Sequence, residues 1–203
     1  MAIPQIIIDT NTQTYSFDQY LQIEAQNEYK SEFYNGFIVA MAGSTFEHSI
    51  LTQNINFIVR KKLKNGCNTY NNDIKVFVAA ANRGFYPDVS VVCGEVESYK
   101  KQNGIIVNPT VIVEVLSDST ANYDRTEKFD YYKLLPSFQS YLLIHQKSKC
   151  VEVFTKKGDF WVSENFYETK PLINIETLSM QIHIEEVYEG VIILPPPIES
   201  HEV

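Results

Sequence analysis

No apolar stretch in this chain approaches the roughly 20 residues that a membrane-spanning helix needs. The opening segment, Met1 to Asp9, lacks the basic start of a signal peptide and is too short to be one. Cysteine is scarce: Cys67, Cys93 and Cys150 lie far apart, odd in number, with no Cys-x-x-Cys pair. That scarcity predicts neither a disulfide framework nor a zinc site, and it points to a reducing, cytoplasmic setting. The histidines (His48, His145, His183, His201) are equally dispersed, and no pair has metal-ligand spacing on one helix. There is no internal repeat, no Gly-x-Ser-x-Gly elbow and no glycine-rich phosphate loop, which sets aside solenoids, serine hydrolases and P-loop enzymes. Positive charge is also in deficit: 17 Lys and Arg against 25 Asp and Glu leave a net charge of −8. A general affinity for nucleic acid is therefore not expected, and any phosphate contact must come from a local patch. One patch stands out: Arg60, Lys61, Lys62 and Lys64, without an acid between them. A helix end carries such cations for its dipole alone. Contact of Arg60, Lys61 and Lys64 with a DNA backbone is the other reading.

What is present is enough for one filled core. The chain has 203 residues, of which 44% are hydrophobic and 21% charged, the balance of an ordinary folded domain. We expect a single domain over 1–194 and a mobile proline-rich tail over 195–203, beginning at Pro195-Pro196-Pro197. Ser16, with Gln19 three residues on, marks a capping box for a helix over about 17–27. A hairpin follows, turning at Asn35-Gly36. Ser44 and Glu47 suggest a second capping box, opening a helix to about Lys64 with Ile50, Leu51, Ile55, Ile58, Val59 and Leu63 on one side. Strands are expected over about 74–78, 88–93 and 110–116, then a helix over about 122–135 stopped by Pro136. Strands at 140–145 and 150–155 and a hairpin through Lys157-Gly158-Asp159 complete the order. The pattern is that of an α/β domain whose mixed central sheet is flanked by helices.

The chemical signal lies in the strand Thr110 to Leu116. Its apolar continuity predicts burial on both faces, yet Glu114 sits in its middle. A buried carboxylate needs a partner or a metal. Alternation places Thr110, Ile112, Glu114 and Leu116 on one face and Val111, Val113 and Val115 on the other. Asp88, straight after Pro87, opens the preceding strand candidate. If the two strands pair, both carboxylates converge, and a hard cation such as Mg²⁺ suits their oxygens. In the next helix, helical spacing puts Lys128 among Tyr131, Tyr132 and Leu135, in the centre of the apolar arc. An inward lysine needs an anion, and beside a metal-bound water it can orient the nucleophile. A structural Glu–Lys pair would leave the same trace. Taken alone, Glu32 reads as a solvated residue before a turn, His48 as a packing residue in a first helical turn, and Asp73 as a turn residue.

The ordered set changes that balance. Glu32-Phe33-Tyr34-Asn35-Gly36, His48, Tyr86-Pro87-Asp88, Val113-Glu114-Val115-Leu116-Ser117-x-Ser119-Thr120, then Asp124-Arg125-x-Glu127-Lys128 and Tyr131, resembles the Uma family. These are proteins assigned as restriction endonucleases, abundant in cyanobacteria, within the PD-(D/E)XK nuclease superfamily. The resemblance spans roughly Phe17 to Tyr188, and Glu114 to Lys128 is its most specific stretch. It implies a restriction-endonuclease-like fold and Mg²⁺-dependent hydrolysis of DNA phosphodiesters, with Mn²⁺ as a substitute ion. By position, Asp88 and Glu114 would bind metal, joined by the backbone carbonyl of Val115. Glu32 would add a carboxylate, and His48, Asp73 and Asp124 would support the site. The superfamily pattern Glu-x-Lys would put a lysine at position 116, where this chain has Leu116. Lys128 is the natural replacement, reaching in from the following helix.

Two functions follow as expectations. One is a Mg²⁺-dependent DNA endonuclease, acting as a homodimer because two sites cut two strands most simply. The other is a module that kept the fold, lost turnover and binds nucleic acid or protein. The acidic balance and Leu116 favour the second; the carboxylate–carboxylate–lysine order favours the first.

Overall fold

The structure is a computed structural model and describes residues 13–41, 43–64 and 66–193. The proline-rich tail expected over 195–203 lies outside the described residues. Helix α1 (Phe17–Glu24) starts at the expected capping box of Ser16 and Gln19. Strands β1 (Ser31–Tyr34) and β2 (Phe37–Ala40) form the expected hairpin. Its turn residues have positive φ, 47° at Asn35 and 102° at Gly36, conformations that Asn and Gly tolerate best. Helix α2 (Phe46–Lys62) follows. Its cap is Thr45, whose hydroxyl accepts the His48 N–H at 3.1 Å. The expected Ser44–Glu47 box is therefore corrected by one residue. Thr45 takes the extended cap geometry, and the Ser44 hydroxyl donates to the Thr45 carbonyl.

Strands β3 (Cys67–Asn71), β4 (Lys75–Val78), β5 (Arg83–Phe85), β6 (Val89–Cys93), β7 (Ile105–Ile106) and β8 (Val111–Leu116) come next. A helical segment crosses back through α3 (Ala121–Tyr123), a π-helical turn (Asp124–Lys128) and α4 (Phe129–Tyr132). Strands β9 (Ser140–His145), β10 (Cys150–Lys157), β11 (Phe160–Tyr167), β12 (Leu172–Ile175) and β13 (Met180–His183) lead to the short helix α5 (Ile184–Val187). The central six-stranded sheet has the order β11-β10-β9-β8-β6-β3 and is mixed, because β8 and β9 run parallel while its other pairs are antiparallel. A five-stranded sheet, β2-β1-β5-β4-β7, stands apart from it. Parallel neighbours need a crossover. Here the crossover is the helical segment 121–132, which lays Lys128 back over the strand carrying Glu114.

Strand β8 is buried along its whole length, and its alternation sorts two cores. Val111, Val113 and Val115 face Leu51, Ile55, Ile58 and Val59 of α2. Ile112 and Leu116 face Phe129, Tyr132, Phe138 and Phe85. Each such aliphatic side chain contributes about 1.5–3 kcal/mol when fully buried. A third cluster packs Phe17 and Tyr20 of α1 on Phe33 and Phe77 of the five-stranded sheet.

Cysteine usage is corrected by the structure. Cys67 and Cys93 form a disulfide between β3 and β6, where they are directly opposed in register. Their separation of 26 residues concealed this, because strand pairing sets which side chains meet. A persisting disulfide belongs to oxidising surroundings, so cysteine no longer argues for a reducing compartment. Cys150 is free and buried. No helix among the described residues is long and apolar enough to cross a membrane.

Candidate metal and phosphodiester site

Strand pairing builds the first half of the site. Val89 of β6 registers with Val113 of β8, so Asp88, one residue earlier, comes opposite Glu114. Pro87 has no N–H to give to a ladder and enters β6 where none is needed. The Val115 N–H donates to Asp88 Oδ2 at 2.7 Å, and the Asp88 N–H donates to Glu114 Oε2 at 3.4 Å. In an extended strand one residue's N–H and C=O point to the same side. The Val115 carbonyl therefore faces the edge where Asp88 sits. His48, held in the first turn of α2 by its Thr45 cap, brings Nε2 to 3.1 Å from Asp88 Oδ2.

The crossover supplies the second half. Lys128 Nζ lies 2.8 Å from Glu114 Oε1, 3.4 Å from Asp124 Oδ1 and 3.8 Å from Glu32 Oε1. Asp124 and Lys128 stand four residues apart in the π-helical turn, on one side of the segment, and both are buried. Turns of this kind are frequent at functional sites. Two phenols complete the shell: Tyr132 Oη donates to Glu114 Oε1 at 3.1 Å, and Tyr34 Oη donates to Glu32 Oε2 at 2.5 Å. Glu32 Oε1 also accepts the Tyr86 N–H at 3.2 Å.

Three carboxylates, those of Glu32, Glu114 and Asp124, thus gather within 3.8 Å of one ammonium, and Asp88 lies against Glu114 and His48. Burial pushes the Glu114 carboxyl up to about 8, with Lys128 opposing and Asp124 and Asp88 reinforcing the rise. Burial alone would pull the Lys128 ammonium down, but Glu114, Glu32 and Asp124 hold it well above its ordinary value. For His48, burial disfavours the cation, yet its hydrogen bond to Asp88 and the nearby Asp124 raise it above 6.5. Burial keeps Tyr132 and Tyr34 protonated, so both remain donors.

The expected residues divide cleanly. Asp88, Glu114, Lys128, Glu32, His48, Asp124 and the Val115 backbone are brought together. Asp73 is not: it is an exposed turn residue paired with Lys30 at 2.5 Å and with Asn71 at 2.9 Å. Its position before β4 directs it outward, so its expected support of the site is withdrawn. Arg60, Lys61 and Lys64 also stand apart, at the exposed far end of α2. A rise of about 1.5 Å per residue separates Arg60 from His48 by about 18 Å along the axis. Arg60 there donates to Asn68 Oδ1 at 2.8 Å.

Sequence reasoning missed the two phenols and a clamp behind the π-helical turn. Arg125, next to Asp124, is ion-paired with Glu152 of β10, and His145 Nε2 sits 2.7 Å from the same carboxylate. Alternation could have put Glu152 and Cys150 on one face, but nothing in the sequence joined them to Arg125.

The donor chemistry fits a hard divalent cation. Asp88 and Glu114 supply carboxylate oxygens side by side, Val115 offers a carbonyl, and the cluster carries more negative than positive charge. Among the described residues, no three His, Cys, Asp or Glu side chains converge closely enough to hold an ion as they stand. The Lys128 ammonium now occupies the anionic centre.

A family model described as "Putative restriction endonuclease", Uma2, matches residues 17–196. The chain is 35% identical over 157 residues to the protein sll1609 of Synechocystis sp., covering 76% of this chain and 88% of that one. It is 31% identical over 175 residues to slr1290 of the same organism, covering 85% and 90%. In fold it is similar to a crystal structure titled as a "putative nuclease belonging to DUF820" from Anabaena variabilis. The TM-score is 0.70 at 16% identity, over 88% of this chain and 99% of that one.

Proposed function

The chain belongs to the Uma2 family of restriction-endonuclease type, and from that membership we propose that it hydrolyses DNA phosphodiester bonds with Mg²⁺. One observation carries the reading: Asp88 and Lys128, far from Glu114 in sequence, both come within hydrogen-bonding distance of it at one buried site. Asp88, Glu114 and the Val115 carbonyl would hold the ion, which when bound supplies Lewis acidity toward a phosphate and acidifies a water. Mn²⁺ would serve in its place.

The chain's own residues then have separate tasks. Glu32 and Asp124 hold the Lys128 ammonium beside Glu114, where it can orient an attacking water and stabilise charge on the phosphorus oxygens. His48 donates to Asp88 and fixes its orientation, as partners of ligating carboxylates do. Tyr132 does the same for Glu114. The walls of Phe85, Tyr132 and Tyr141 exclude bulk water and strengthen each charge interaction. A symmetric pair of such chains would place one site on each DNA strand.

A second reading has its own observation. The Lys128 ammonium already fills the carboxylate cluster at 2.8 Å from Glu114, which would suit a nuclease-fold module that binds nucleic acid or protein without turnover. Purified protein with duplex DNA and Mg²⁺ or Mn²⁺ separates the two. Cleavage abolished by Asp88→Ala is the expected result. Metal-independent duplex binding without product would favour the binding module.

A further inference from the structure

The face of the five-stranded sheet that carries Glu32 also carries an arginine with unmet needs. Arg83 of β5 registers with Tyr34 of β1, so the two side chains share a face with Glu32 and Phe85. The Arg83 guanidinium lies 4.8 Å from the ring centre of Tyr131 and 5.7 Å from that of Tyr34. Its Nη2 donates to Tyr131 Oη at 3.3 Å. Its Nε and Nη1 are buried and, among the described residues, have no hydrogen-bond partner. Tyr123, beside Tyr34 at a ring-centre distance of 6.0 Å, holds a buried hydroxyl that also lacks a partner.

This is costly as it stands. A guanidinium does not deprotonate in a protein, and each donor removed from water without a partner is destabilising. Acidic residues are plentiful next door, yet Glu32 is satisfied by Tyr34, Tyr86 and Lys128 instead. The aromatic walls hold the cation in place and leave Nε and Nη1, whose N–H bonds diverge within the guanidinium plane, without acceptors. Each can donate a charge-assisted hydrogen bond to an oxygen of a phosphate.

We propose that Arg83 and Tyr123 form an anion subsite for a phosphate group, next to the carboxylate cluster and distinct from it. Identifying that anion as a backbone phosphate of the nucleic-acid substrate rests on the phosphodiesterase reading above. The chain runs from Arg83 through β5, Tyr86 and Pro87 directly to Asp88. Five extended residues span at most about 17 Å, whereas successive phosphates on one strand rise by about 3.4 Å. Arg83 therefore holds a phosphate a few nucleotides from the scissile one. It is a positioning residue: it sets the register of the strand across Asp88 and Glu114 and takes no part in bond breaking.

The first probe is inorganic phosphate, titrated against chloride at fixed ionic strength into ¹⁵N-labelled protein. The Arg83 Nε–Hε resonance is identified by its loss in Arg83→Lys, whose melting curve also confirms folding. It should shift saturably with phosphate, with affinity at least fivefold weaker in Tyr123→Phe. A resonance that does not move, or moves equally with chloride, overturns the subsite. The second probe is a short DNA duplex, followed by fluorescence anisotropy over a range of salt. Arg83→Gln, which removes the charge, should weaken binding at least tenfold and lower the salt slope by about one phosphate. A phosphate shift without DNA binding overturns the DNA assignment and leaves the subsite standing. Metal-dependent cleavage with an unchanged salt slope in Arg83→Gln does the reverse: it overturns the subsite and leaves the DNA assignment standing.

Discussion

Lys128 Nζ lies 2.8 Å from Glu114 Oε1, and both side chains are more than nine-tenths buried. A buried pair of this kind is weak support for stability, because desolvation offsets much of the attraction. Removing one partner is different, since it strands the other charge. Lys128 is also the only cation in contact with Glu32, Glu114 and Asp124 among the described residues. On the proposed reading it would compete with the metal ion for the Glu114 carboxylate.

That competition gives the first prediction. Lys128→Met should abolish DNA cleavage and lower metal-free stability by about 3–5 kcal/mol. Mg²⁺ or Mn²⁺ should then stabilise the variant more than the wild type, because the ion replaces the lost charge. Denaturant melts with and without metal measure both effects. Unchanged metal-free stability would mean that Lys128 is not the cation holding the cluster together.

The clamp behind the π-helical turn sets a pH range. A hydrogen bond with Cys150 and another with Glu152 raise His145 to about 9, against burial. Its contribution to stability is complete below its unfolded value near 6.5 and is lost as pH rises through about 9. Burial would raise Glu152, but hydrogen bonds from His145 and Arg125 hold it at about 2. Its contribution is complete above an unfolded value near 4.5 and is lost as pH falls through about 2. The melting temperature should accordingly be highest between about pH 4.5 and 6.5 as far as this clamp is concerned. Glu152→Gln should flatten both arms of the profile. Parallel wild-type and variant profiles would remove the clamp from the account.

The Cys67–Cys93 bond joins edge strand β3 to β6, the strand that Asp88 leads into. Closing a loop of this length stabilises by about 3 kcal/mol in the chain-entropy model. Reduction with dithiothreitol should lower the melting temperature, and a Cys67→Ser/Cys93→Ser double variant should melt at the reduced value and be indifferent to reductant. A wild type that melts identically in both conditions would show that the bond contributes nothing.

Much of this was legible beforehand, for definite reasons. Glu114 stood out because a carboxylate in an unbroken apolar strand violates the pattern around it. Lys128 stood out because a cation falls in the centre of an apolar arc. Pairing of the strands at Asp88 and Glu114 was only a condition of the sequence argument, which the register of β6 on β8 meets, and β8 and β9 both fell close to their expected bounds. The rest depends on geometry that spacing does not encode. Counting about 100° per residue puts Asp124 on the same side as Lys128, but it does not show that the turn is π-helical or that Asp124 reaches the Lys128 ammonium. The disulfide needed the register of β3 on β6. Asp73 shares its residue type with Asp88, and only its position in an exposed turn separates the two. Arg83 and Tyr123 look ordinary until their unpartnered donors are located in space.

The most direct test is the shift in melting temperature produced by Mn²⁺ in the wild type and in Glu114→Gln, at equal ionic strength. An ion that binds only the folded chain stabilises it by about 2.7 kcal/mol at a hundredfold excess over Kd. For a chain of this size that corresponds to roughly 5–10 °C. The account predicts such a rise in the wild type and little or none in Glu114→Gln. No rise in the wild type, or an equal rise in both, would contradict a metal site at Asp88 and Glu114.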